Sequence, residues 1–173
     1  MPHPNFRLLV LLLVQLIAGS AAAQALPSFR LPWDLTTAQA AAHLQSNGFV
    51  HQPGASVRLV QDAPGRIRRV EDASAASYTR RAAGVSERVF VRSDGGAPTQ
   101  QFYTVIGDSA TLQTRLEALA ADAAGRLGLS TGEGGLRVWR PAGARLVVPV
   151  RPSRLPDGRY QATVLFHRSG AAR

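Results

Sequence analysis

SERVFVRSDGGAPTQQFYTVIGDSATLQTRLEALAADAAGRLG, residues 86–128, decides how the chain folds. Residues 86–92 alternate Arg88, Phe90 and Arg92 with Val89 and Val91, the period of a strand, and 100–106 give a second strand signal. Between them, Ser93-Asp94-Gly95-Gly96 has the composition of a tight hairpin turn. From Asp108 or Ser109 onward the period changes. Leu112, Leu116, Leu119, Ala123 and Leu127 recur at spacings of three and four, which lays one apolar stripe along a helix. Gly128 supplies the stop, followed by Leu129.

The same signals recur on both sides. Residues 36–47 read as an earlier helix, with Thr36 and Gln39 as a capping box and Leu35 placed to staple onto Ala40. Gly48 is its left-handed stop and Phe49 folds back over the last turn. Strand signals at 57–61 and 66–71 flank Ala63-Pro64-Gly65, a turn in which Pro presets φ and Gly takes the positive φ. Residues 73–84 read equally as strand or loop. Beyond the second helix, a loop rich in Gly and Ser (130–135) leads to strands at 136–140, 145–150 and 159–167, joined by turns at 141–143 and 156–158. The class is α+β: an antiparallel sheet with two helices packed on one face. One domain spans 36–168, with two candidate helix-plus-strands halves, 36–107 and 108–168. Residues 26–35 form an extended lead-in and 169–173 a frayed C-terminus.

The N-terminus supplies an address. Arg7 and the free amine precede an apolar run at 8–18 broken only by Gln15, and Ala21-Ala22-Ala23-Gln24-Ala25 offers two small-x-small cleavage sites. This is the pattern of a secretory signal peptide at 1–25, cut after Ala23 or Ala25, and it places the mature chain in the periplasm or outside the cell. The run is about half the ~20 residues a membrane-spanning helix needs, so no transmembrane anchor is expected. The chain has no cysteine, which removes a cysteine-linked lipid anchor, thiolate nucleophiles and Cys-based zinc sites. It has no lysine either, which removes Schiff-base chemistry, a Walker-type phosphate loop and Ser-Lys hydrolysis. All 20 basic residues are arginine, a usage that GC-rich coding also favours. Loss of the signal segment takes Arg7 and leaves 19 arginines against 11 acids, a charge of +8. An anionic partner is expected, either an acidic envelope protein or an anionic envelope surface, and export argues against nucleic acid.

One motif suggests chemistry. Val105-Ile106-Gly107-Asp108-Ser109 runs from strand to helix through Gly-Asp-Ser and resembles the nucleophile block of the GDSL-type esterases and lipases. A serine at a helix N-terminus has backbone donors nearby for an oxyanion. In that family the block opens the mature chain and an Asp-x-x-His pair closes it. Here the block falls in mid-chain, and Asp157 and His167 are ten residues apart. The plainer role of Asp108 or Ser109 is to cap the helix. His43, His51 and His167 have no other ligand types at metal-binding spacing, and Glu71-Asp72, being adjacent, face opposite sides of a strand. Neither a metal nor another cofactor is called for.

The arginines fall in a pattern on the strands. If Leu136 and Val138 face the core, Arg137 and Trp139 face out together. Leu146, Val148 and Val150 go in while Arg145, Val147 and Arg151 go out. Tyr160, Ala162, Val164 and Phe166 go in, leaving Arg159, Gln161, Leu165 and His167 outside. The expected binding residues are therefore Arg137, Trp139, Arg145, Arg151, Arg159 and His167, with Phe90 a further aromatic on either side. Arginine and tryptophan are enriched at binding hot spots because they combine large contact area with directional donors. The plain alternative is the wetted face that antiparallel sheets usually keep.

Trp33-Asp34-Leu35-Thr36-Thr37-Ala38-Gln39-Ala40, then Leu44, Asn47-Gly48-Phe49 and hairpins, resembles the helix-then-hairpin repeats of two groups of exported proteins. These are the β-lactamase-inhibitor-protein superfamily and the small lipoprotein of the outer-membrane β-barrel assembly machine. The likeness covers the order of elements over most of the mature chain. It implies a role in binding other proteins, and it carries no binding residue across. The expected function is an exported, non-enzymatic binding protein that uses a basic, aromatic-containing sheet face; the alternative is a small secreted serine esterase with Ser109 as nucleophile.

Overall fold

A computed structural model describes residues 29–54, 56–63 and 66–168. The expected signal segment 1–25, its cleavage near Ala23 or Ala25, the Pro64-Gly65 turn and the C-terminus 169–173 lie outside the described residues. The elements are α1 (Thr37–Ser46), β1 (Val50–His51), β2 (Val57–Ala63), β3 (Arg66–Glu71), β4 (Ala75–Ala82), β5 (Val85–Asp94) and β6 (Ala97–Gly107). They continue with α2 (Ser109–Leu127), β7 (Thr131–Glu133), β8 (Leu136–Trp139), β9 (Ala144–Pro149), β10 (Ser153–Arg154) and β11 (Tyr160–Arg168). The main sheet has the order β1-β4-β5-β6-β11-β9-β8-β7, with β10 also paired to β11, and every pairing is antiparallel. The two helices lie against one face, so the α+β class expected from the sequence is the one found. Each half runs from its helix to an edge strand and then inward, α1-β1-β4-β5-β6 and α2-β7-β8-β9-β11. The halves join where β6 meets β11, with Thr104 opposite Thr163 and their hydroxyls 3.2 Å apart. Strands β2 and β3 form a separate two-stranded ribbon.

The local signals explain the boundaries. Thr36 caps α1 with the reciprocal Gln39 bonds of a capping box. At the other end Phe49 N–H donates to Leu44 O and Gly48 N–H to Gln45 O, with Gly48 at φ +79°, which is a Schellman stop. Gly95 and Gly96 both take positive φ in the two-residue β5–β6 turn. The ambiguous segment 73–84 supplies β4 and its turn into β5. There Ala83 at φ +49° and Gly84 at φ +74° make a second tight turn. An alanine in a left-handed position is why that hairpin was hard to read from sequence.

The core lies between the sheet and the helices and includes Leu44, Leu112, Leu116, Val89, Val105 and Val164. The lead-in belongs to it. Leu31, Pro32 and Trp33 are buried, and the backbone oxygens of Arg30, Pro32 and Trp33 bond His43 of α1, Gln101 of β6 and Arg168 of β11. Trp33 stacks near Phe166 and receives the Arg126 guanidinium of α2 on its face at 3.7 Å. Thus residues 29–34 tie both halves together.

At the centre of this layer Glu87 is 1 % exposed and faces the helices from β5. It accepts from Arg80 Nε at 2.6 Å and from the Tyr103 hydroxyl at 2.6 Å, and Arg115 Nη2 of α2 lies 3.4 Å away. Arg80 also donates to Asn47 O at 2.7 Å and lies over the Phe49 ring at 4.4 Å. Burial, then the neighbouring Glu87 charge, pushes the Tyr103 phenol well above its ordinary pKa, so it stays a donor. Removing a single member of such a cluster leaves a buried charge uncompensated. Glu87→Gln is expected to cost about 3–5 kcal/mol in urea unfolding. A loss under about 1 kcal/mol would mean that water or rearrangement satisfies the two arginines.

Candidate binding face

Directly paired residues of an antiparallel sheet share a face, so the register assigns every outward side chain. The face turned away from the helices carries rows running across the strands, three of them at its middle; beyond these lies a row of Arg81, Ser86, Ile106 and Gln161. The middle row is Ser77, Phe90, Phe102, Leu165, Val147 and Val138. One flanking row is Thr79, Arg88, Thr104 and Thr163, and the other is Ala75, Arg92, Gln100, His167 and Arg145. The Phe90 and Phe102 rings meet with centroids 6.0 Å apart, and the Arg92 guanidinium lies 6.0 Å from the Phe90 centroid. Arg88 Nε donates to Ser77 Oγ at 2.9 Å. Arg88, Phe90, Phe102 and Thr104 line a depression of about 370 Å³. No carboxylate occupies an outward position of β4 at 75–81, β5 at 86–92, β6 at 100–106 or β11 at 161–167.

The residues expected from sequence are divided by this geometry. Arg145 and His167 are cross-strand partners on the outer face, and Arg145 reaches Glu133 on β7 at 3.1 Å. Arg140 also pairs with Glu133, and its hydrogen bond is the main reason that carboxyl sits below its ordinary pKa. Arg151 and Arg159 lie toward the opposite end of β11, and Arg159 is held by Asp157 at 2.6 Å. Arg137 and Trp139 require correction. Register places Arg137 beside Val148 and Trp139 beside Leu146, both on the helix-packed face, while Val138 pairs with Val147 on the other. Trp139 is 3 % exposed, and its indole N–H donates to Gly128 O at 3.0 Å, just past the end of α2. The large ring takes the core position because it buries most area there and still finds an acceptor. A shift of one residue moved the whole of β8.

Phe102 was not assigned from sequence, and Leu165 was expected outside but not as a contact. In residues 100–106 both parities are apolar, Phe102 and Ile106 against Tyr103 and Val105, so alternation alone does not choose a face. The Phe90 parity signal was present, but only burial of Val89 and Val91 settles it.

Ser109 is exposed at the first position of α2, and Asp108 is the cap, accepting from Thr111 N–H at 2.9 Å. Hydrogen bonds from the Thr111 side chain and backbone lower the Asp108 pKa. The histidine of the esterase reading is distant. Gly107 pairs with Tyr160 and Gln100 with His167, seven residues along the strand. That separation is about 23 Å. His43 bonds Arg30 O, His51 lies on β1, three strands from β6, and Asp157 is engaged by Arg159. Among the described residues no group of three or more His, Cys, Asp or Glu could hold a metal ion. No helix of the described residues is long and apolar enough to cross a membrane.

Two measurements follow from these assignments. Asp108→Ala should cost about 1 kcal/mol and Ser109→Ala only a few tenths, and ester hydrolysis should be the same background in both; activity lost only with Ser109 would reverse the assignment. Asp72 beside this face has its pKa lowered, first by the Ser74 hydroxyl and then, against the cost of burial, by Arg92 at 2.8 Å. A depressed carboxyl contributes stability above its unfolded pKa and loses it as pH falls through the folded one. Unfolding free energy should therefore drop on acidification below the ordinary carboxylate range, and Asp72→Asn should flatten that slope.

No protein-family model, curated protein or solved structure matches this chain.

Proposed function

We propose that this is an exported, non-enzymatic binding protein that engages another protein or an anionic envelope surface through the outer sheet face. The observation that carries the reading is the apolar row of Phe90, Phe102 and Leu165, half-buried on a face where no described helix packs and flanked by Arg88, Arg92, Arg145 and His167. Aromatic and arginine side chains in contact are the usual composition of a binding centre. The N-terminal pattern at 1–25 supports export to the periplasm or beyond. The two-fold order of helix, edge strand and inward strands supports the likeness to helix-then-hairpin binding proteins.

Chemical cross-linking of the tagged protein in its native envelope should recover one dominant partner. Phe102→Asp and Arg145→Glu should each abolish most of that recovery while leaving the unfolding midpoint nearly unchanged, since both side chains lie outside the helix-packed core. Full recovery with both variants would remove this face from the mechanism. Trp139→Ala should instead lower stability by about 3 kcal/mol or more, as expected of a core aromatic.

A further inference from the structure

We infer that the channel filled by residues 29–34, between α1, α2 and the sheet, is a peptide-binding site occupied by its own chain, and that its occupant in trans is an extended segment of another protein. That segment carries two aromatic side chains four positions apart and, immediately before the second, a residue with a backbone N–H. The lead-in is held as a bound peptide is, by recesses for its side chains and by bonds to its main chain. Phe29 meets Phe49 and Tyr103 edge-on, with centroids 4.9 and 5.3 Å away, and the Arg80 and Arg115 guanidinium groups lie 5.1 and 5.5 Å from its ring centroid. Trp33 meets Phe166 and the Arg126 guanidinium. Cations over both rings favour aromatic over aliphatic side chains at these two places. Donors from three elements, His43, Gln101 and Arg168, take the carbonyls of Arg30, Pro32 and Trp33.

The set is one bond short. Gln101 is 2 % exposed, and its Nε2 donates to Pro32 O at 2.9 Å. Its Oε1 is closed to solvent and accepts from no donor among the described residues. In extended backbone a residue's N–H and C=O point to the same side, so a primary amide set against that carbonyl also faces that residue's N–H. Proline has no N–H to offer. Any other residue in the place of Pro32 completes the pair and removes the cost of a buried, unsatisfied acceptor. Tethering holds the lead-in at a high effective concentration, so an occupant in trans must bring something the lead-in lacks. The N–H is that group. A second copy's lead-in brings the same proline and gains nothing. A lipid acyl chain has no row of carbonyls for the three donors.

The test uses isotope-labelled full-length protein and three capped hexapeptides: Phe-Arg-Leu-Ala-Trp-Asp, its counterpart with Pro for Ala, and the first with N-methylalanine for Ala. The alanine peptide should shift the Gln101 side-chain amide and move the Trp33 indole signal toward that of an exposed tryptophan. It should do so at about one-tenth the concentration that either of the others needs. Equal binding of the N-methyl peptide, no shift at millimolar peptide, or shifts confined to Phe90, Phe102 and Leu165 on the outer face would overturn the inference. Pro32→Ala in the full chain checks the geometry without a ligand. The new amide at position 32 should resist hydrogen exchange as core amides do, and peptide affinity should fall about tenfold because the chain's own lead-in then completes the set. An unchanged amide spectrum elsewhere shows that the variant remains folded. Rapid exchange at that amide in the folded variant would equally overturn the inference.

Discussion

Glu87 is the constraint around which the rest of the molecule is arranged. One carboxylate, fully inside, holds Arg80 of the neighbouring strand, Arg115 of α2 and the hydroxyl of Tyr103 on the next strand. Two arginines against one glutamate leave the cluster net positive, and aromatic faces take up part of the excess: Phe29 lies under both guanidinium groups and Phe49 under Arg80. A buried group of this kind is weak evidence for stability as such, because desolvation cancels much of the attraction. Its consequence is geometric. Strands β4, β5 and β6, helix α2, the end of α1 and the lead-in must all be in place before the charges are matched.

That arrangement also separates the two faces of the sheet. Charge on the helix side comes from the Glu87 cluster, from the arginines that hold the lead-in, Arg126 and Arg168, and from Arg137 on β8. The acids of the described chain are taken up by turns, caps and edge pairs, such as Asp72 with Ser74, Asp108 with Thr111 and Glu133 with Arg140. What is left on the central strands of the outer face is cationic and aromatic. Two of those acids, Asp72 and Glu133, also meet arginines of the face itself, Arg92 and Arg145, so its positive charge is partly offset along that row.

The two-fold layout has a mechanical effect on the face. Both halves finish at the sheet centre, where β6 and β11 carry Phe102, Thr104, Thr163 and Leu165 side by side. Both strands lie in the middle of the sheet with neighbours on both sides, and α2 packs behind them. A contact surface placed there is backed by the most constrained part of the fold, which limits the ordering cost of binding.

Much was legible in the chain itself. The Thr36 capping box, the Gly48 stop, the Leu112-to-Leu127 stripe and the Gly95-Gly96 turn act within a few residues of one another, so local chemistry determined both helices, the strands around them and the α+β class. The outward setting of Arg145, Val147, Leu165 and His167 was also readable, since β11 alternates cleanly and Arg145 marks the outward parity of β9. Three matters needed the tertiary structure. Arg137 and Trp139 belong to a four-residue strand with apolar groups in both parities, and only the acceptor at Gly128 and the space under α2 select the face. Phe102 is set outward only because Tyr103 must reach Glu87. Arg80 and Arg115 carry no signal in the sequence and the lead-in reads only as extended, yet they close the core, because residues up to eighty-odd positions apart meet around one buried carboxylate and no local pattern records such a meeting.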